Sequence, residues 1–236
     1  MRSAGFKQEG VVSAGPPALC LYCNQTADRC GNCARLLLDG VPVLSSTILG
    51  LEMLLDPVRI DIGAATACVL SDVGASIQIL ARTSKEYDAG AGLPGRIAEC
   101  IAGLDLRDFL SDLCGRTMAC RTEYAPVIAV WDRCRQVAQY AYIMAESIGG
   151  ISPDDAYLAG LLDDRGAIAG VLGWPRRGRK GSSTGNLMAY EHLLPASLLP
   201  AFESTRTPDA LAWSFLLSAA HSLADGSVCA NVDAIQ

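Results

Sequence analysis

Four cysteines are the first residues in this chain with ligand chemistry. Cys20, Cys23, Cys30 and Cys33 stand in "CLYCNQTADRCGNC" as two C-x2-C pairs with six residues between them. Two such pairs can supply four thiolates to a tetrahedral zinc ion. The gap is shorter than the hairpin of most zinc ribbons, and it still permits a tight loop. A cysteine-rich tail without metal is the alternative. Six further cysteines, Cys68, Cys100, Cys114, Cys120, Cys134 and Cys229, are scattered through mostly helical segments and read as small core residues.

Asp163 and Asp164 form a carboxylate doublet at the end of the apolar, small-residue stretch "DDAYLAGLLDD". A doublet of this kind suits a metal site, yet neither of the two histidines, His192 and His221, stands beside it. Two histidines without a shared ligand spacing argue against a metallohydrolase. His192 falls in a loop-like region before Pro195 and is assigned no role. A third cluster, Arg176, Arg177, Arg179 and Lys180 in "WPRRGRKGSSTGN", offers four positive charges to a phosphate group. It contains no G-x-x-x-x-G-K-[ST] loop, and a solvated basic loop is the plainer reading. Nucleophile signatures are missing as well: there is no G-x-S-x-G and no cysteine with an evident histidine partner.

These residues need elements to hold them. From about Leu44 the apolar spacing is helical almost to the end, and no run alternates as a sheet strand would. "STILGLEMLL" places Ile48, Leu51 and Leu55 on one face and stops at Asp56-Pro57. "IDIGAATACVLSD" and "GASIQILARTSKEY" predict two short helices, and Gly90, Gly92 and Pro94 a loop. "GRIAECIAGL" and "LRDFLSDLCGRTM" predict another pair. A longer helix is expected from Pro126 to Ile148, ended by Gly149-Gly150. Ser152 then caps the next helix, with Pro153 at its first position and Asp154 and Asp155 in its positive first turn. Two last helical segments follow, near Leu194–Glu203 and Pro208–Asp225. No internal repeat is present. The expectation is an all-α domain of many short helices.

Composition sets the outer limits. With 236 residues, 50% hydrophobic and 19% charged, the chain can bury its own core without disulfides. A net charge of -6 argues against general nucleic-acid binding. No apolar run reaches membrane-spanning length, and "MRSAGFKQEG" has no signal-peptide core. Reduced thiols in a cytoplasmic protein are therefore expected.

From about Leu38 to Gly226 the order of segments resembles the HDOD family, the HD-related output domain. The residues that carry the resemblance are Val41-Pro42-Val43-Leu44 before a helix, "GASIQILARTSKEY", the tryptophan-led "VWDRCRQVAQYAYIMAESI", "AYLAGLLDDRGAIAGVLGW", which is similar to the family's "AGLLHDIG" segment, and "LSAAHSLADG". The resemblance implies a multi-helix HD-like bundle over 38–226, flanked by a tail at 1–36 with the four-cysteine segment and a tail at 227–236. It also implies a site. The HD superfamily binds metal with a first histidine, a His-Asp doublet and a later aspartate. By position these become Arg133, Asp163 with Asp164, and His221.

Arginine is permanently charged and has no lone pair to give a metal. It matches carboxylates in a fork. An ion pair of Arg133 with Asp163 and Asp164 is thus expected where the metal would be, with three independent surface charges as the alternative. The function implied is a non-catalytic regulatory module that binds a signalling protein or a small ligand. A metal-dependent phosphohydrolase or cyclic-dinucleotide phosphodiesterase with atypical ligands, and a nucleotide sensor without hydrolysis, are the competing readings.

Overall fold

The computed structural model describes residues 38, 40–55, 60–86, 96–114, 117–118, 124–174, 194–202 and 207–226. The cysteine quartet, the basic run 176–180, His192, Asp56-Pro57, the loop 90–94 and both tails lie outside the described residues.

A two-residue strand β1 (Val43–Leu44) leads directly into α1 (Ser45–Leu54). Ile48 and Leu51 are buried there, as the spacing predicts, and Leu55 is half-buried. Next come α2 (Ile62–Leu70) and α3 (Val73–Glu86). Asp61 caps α2 by accepting from the Ala64 amide at 3.0 Å. Ala75, Ser76, Ile77, Gln78, Ile79 and Leu80 of α3 are all buried, so this helix runs through the core. Its one buried amide is satisfied: Gln78 Nε2 donates to the carbonyls of Leu38 at 2.6 Å and Val41 at 3.2 Å.

Helices α4 (Ile97–Gly103) and α5 (Leu106–Cys114) follow, then β2 (Thr117–Met118). β2 pairs in parallel with β1, Val43 opposite Thr117 and Leu44 opposite Met118. This small pairing departs from the strand-free expectation. Two residues per strand are too few to leave a period in the sequence.

The second half is built on α6 (Ala125–Ile148) and α7 (Pro153–Asp163). Trp131, Cys134, Val137, Ala138, Ala141 and Ala145 form the inward stripe of α6. Gly149 and Gly150 end it with φ of 76° and 84°. Ser152 then caps α7 with Pro153 at its start, as the sequence predicts. Gly160 lets α7 lie directly on α6: an added Cβ would stand 2.9 Å from Ala138 Cα. After Asp164 come α8 (Arg165–Val171), a 3-10 turn at Ala196–Leu198, α9 (Leu199–Phe202) and α10 (Pro208–Ala224). Thr207 caps α10, its Oγ1 accepting from the Ala210 amide at 3.2 Å. Trp213, Leu216, Leu217 and Ala220 are buried on α10, which packs against α6. The described residues form an all-α bundle, and none of its helices alone is long and apolar enough to cross a membrane.

The cysteines divide. Cys100 and Cys134 are buried and Cys68 is half-buried, but Cys114 is exposed at the end of α5, against expectation. Cys120 and Cys229 lie outside the described residues.

Candidate functional site

Three elements bring the predicted residues together. Arg133 projects from α6, one turn before the buried Ala138–Gly160 contact. Asp163 ends α7, and Asp164 sits at the junction with α8, where its Oδ1 accepts from the Ala167 amide at 3.1 Å. His221 lies in the last turn of α10, and Asp225 follows at its end.

The pairing differs from the sequence expectation in one respect. Arg133 reaches Asp164, Nε to Oδ2 at 3.4 Å, but Asp163 is held by His221, Nε2 to Oδ2 at 2.9 Å. The guanidinium then turns its outer edge to Asp225. Nη1 pairs with Asp225 Oδ1, and Nη2 lies 3.3 Å from Oδ2. Nη2 also stands 3.4 Å from His221 Nδ1. The result is one network, Asp163–His221–Arg133 with Asp164 and Asp225, joining α6, α7 and α10. Asp163 needs no guanidinium because the imidazole has reached it first.

Asp225 is the member that sequence reasoning missed. Its signal was the i, i+4 spacing from His221 on one helix, obscured because Asp225-Gly226 reads as an ordinary helix end.

The network sets its own electrostatics. The hydrogen bond from His221 to Asp163, and that carboxylate's charge, hold the imidazole pKa above its usual value. Partial burial and the Arg133 charge oppose this without reversing it. With Nε2–H assigned to Asp163, the neutral ring keeps a lone pair on Nδ1 for Arg133. Arg133, bonded to Asp225, is held even more firmly in its charged form, and Asp225 falls below the usual carboxylate range. Cys134, next to Arg133 in sequence, is pushed up to about 12 by burial.

The permanently charged guanidinium lies among Asp164, Asp225 and His221, so a divalent cation approaching these groups would meet its charge, while Asp163 is bonded to His221. Among the described residues, no three His, Cys, Asp or Glu side chains are placed to hold a metal ion.

A second polar centre lies deeper. The Asp72 carboxylate is fully buried between α2 and α3. Oδ1 accepts from Trp131 Nε1 at 2.9 Å, the Gly74 amide at 2.8 Å and the Ala75 amide at 3.3 Å, while Oδ2 accepts from the Leu44 amide at 2.7 Å. Burial raises its pKa against these hydrogen bonds. Each of these donors is internal to the fold, so this centre joins β1, α3 and α6.

No family model matches the chain, and no curated protein matches it. Two solved structures do, both of the MmoQ response regulator from Methylococcus capsulatus str. Bath. One, a fragment, is 18% identical with a TM-score of 0.59, over 81% of this chain and 86% of that one. The other is 17% identical with a TM-score of 0.57, over 81% and 88%. At that identity the likeness is one of fold.

Proposed function

We propose that the chain is a regulatory module of the HDOD type, without catalytic activity, that acts by binding a signalling protein or a small ligand. The observation that supports this reading is the Arg133 guanidinium, 3.4 Å from both Asp164 and His221, at the position that the resemblance gives to the first metal ligand. A cation fixed there neutralises the carboxylates and repels a second cation. Hydrolysis of a phosphodiester on this scaffold requires an ion to activate water and stabilise the leaving oxygen. The fold likeness to a response regulator agrees with a role in signalling.

The test is turnover by the purified full chain on cyclic dinucleotides and on a generic phosphodiester, with manganese or iron added. No turnover above buffer containing the same metals is expected. Robust metal-dependent turnover overturns the reading. Thermal shifts with a nucleotide panel distinguish a small-ligand module from one that binds protein alone.

A further inference from the structure

At the C-terminal end of α6, beyond Arg133, an open groove of about 460 Å³ lies between the α6–α7 turn, α9 and α10. Ile148 stands on one wall, 62% exposed, and Phe215 on another, 67% exposed. Trp213 and Leu216, both buried, and Ile151 form its apolar base. Gly149 and Gly150 line the turn with open space where side chains would be. Large apolar side chains left in water around a concave surface mark a place where another surface docks.

Charge selects the occupant. Asp209, in the first turn of α10, lines the groove. Glu146 and Asp154 are exposed on the segments leading into and out of the α6–α7 turn. No ion pair is formed by any of the three among the described residues. None of the described residues that line the groove is a lysine or arginine. Arg165 over the Phe202 ring and Arg96 near Asp155 approach from outside, but the charged side chain that lines the groove among the described residues is Asp209, so a partner here meets apolar walls with an acidic edge.

We infer that this groove docks an amphipathic helix of another protein, with apolar side chains on one face and lysine or arginine beside them. The chemistry is that of helix-in-groove recognition: apolar anchors at helical spacing enter between Ile148 and Phe215, and a flanking cation meets Asp209. The inference rests on the binding-module reading above and gives it a surface and a partner class. The groove's lining residues include none of the Arg133 network, so each can be altered without changing a residue of the other.

The probe is a labelled synthetic helical peptide of about 16 residues, roughly four turns, with leucines on one face and lysines flanking them. Its twin carries glutamates in place of the lysines. Fluorescence anisotropy with the full chain should show saturable binding of the lysine peptide and much weaker binding of the glutamate twin. Ile148→Ser with Phe215→Ser should weaken the lysine peptide by roughly tenfold or more, as loss of central anchors does. Asp209→Asn should weaken it less and reduce its salt dependence. Both sites are solvent-facing, and thermal melts of the variants confirm an intact fold.

No binding, equal binding of the twins, or binding indifferent to the double variant overturns the inference. So does a wild-type dimer in sedimentation that Ile148→Ser with Phe215→Ser dissolves, since the groove then serves a second copy. Binding that appears only after Arg176, Arg177, Arg179 and Lys180 are changed to serine also overturns it, because the chain's own basic run is then the occupant. Metal-dependent turnover would overturn the binding-module reading, whereas failed docking without turnover overturns the groove alone.

Discussion

His221 Nε2 lies 2.9 Å from Asp163 Oδ2, fastening the end of α10 to the end of α7. This pair has a pH signature. The folded pKa of His221 is raised above its usual 6.5, chiefly by Asp163, so the folded state holds the proton more tightly than the unfolded chain. The stabilisation is complete below about pH 6.5 and is lost as pH rises through the folded value. His221→Gln keeps a donor for Asp163 but does not titrate. Urea melts at pH 5.5 and 8.5, two values flanking the histidine range, should show a larger gap between wild type and His221→Gln at the lower pH. A gap independent of pH refutes the assignment.

Arg133 and Asp164 should couple weakly. Their side chains are 37% and 25% exposed, which places the pair near the surface rather than in the core. Exposed ion pairs contribute about 0.2–1 kcal/mol. A double-mutant cycle with Arg133→Ala and Asp164→Asn isolates the charge term, because asparagine can still cap α8. The coupling should fall in that range and shrink in about 1 M salt. A coupling of several kcal/mol would show that the network is buried in solution.

Most of the bundle was legible because its helix ends carry their own chemistry. Pro126, Gly149-Gly150, Ser152-Pro153 and Thr207-Pro208 stop and start helices by backbone rules that need no tertiary context. The site was legible only as a set of positions. Arg133, Asp163, Asp164 and His221 were singled out, but which carboxylate pairs with which base depends on packing between residues 31 to 92 positions apart. Asp72 was not legible. In "LSDVGAS" it reads as a routine helix cap, and its bond to Trp131 spans 59 positions. Local rules see the cap and miss the indole.

The contact between α6 and α7 gives a paired test. Gly160→Ala places a methyl group 2.9 Å from Ala138 Cα and 3.1 Å from its nitrogen, so backbone must move. Overpacking of this kind costs about 1–3 kcal/mol. Gly166→Ala, on α8 with nothing within 4 Å, should be neutral or stabilise by up to about 1 kcal/mol. Denaturant melts of the two variants should move in opposite directions or differ by the full overpacking cost. Equal shifts would mean that the helices do not approach as closely as the structure shows.

We propose that Cys20, Cys23, Cys30 and Cys33 hold one zinc ion, on the strength of their paired spacing. The full chain, purified reduced and without chelator, should carry about one zinc per molecule. A truncation lacking residues 1–36 should carry none and keep its helical melt, because the described core from Leu38 onward is built from the chain's own apolar residues. Metal-free full chain, or a truncation that retains zinc, refutes the quartet as ligands.

Asp72 should be the most costly single polar side chain to remove. Its carboxylate accepts from the Trp131 indole and from the amides of Leu44, Gly74 and Ala75, in a site closed to water. Asp72→Ala strands these donors together. A buried donor left without an acceptor costs about 1–3 kcal/mol, and part of the α3 cap is lost besides. Not every donor is penalised in full, because the cavity left by the side chain can admit water to the amides. A loss of about 3–5 kcal/mol is therefore expected, a large fraction of a domain's stability. Asp72→Asn keeps one acceptor oxygen and removes the charge whose burial is unfavourable, so it should cost distinctly less. The Trp131 N–H then decides the account. In Asp72→Asn the amide oxygen can serve either the indole or the Leu44 amide, not both sides of the carboxylate at once, and the indole resonance should shift even though the fold is kept. Melts of both variants, read beside the Trp131 Nε1–H signal by NMR, test this. An Asp72→Ala variant as stable as the wild type, or an indole signal unmoved in either variant, would remove Asp72 as the joint between β1, α3 and α6.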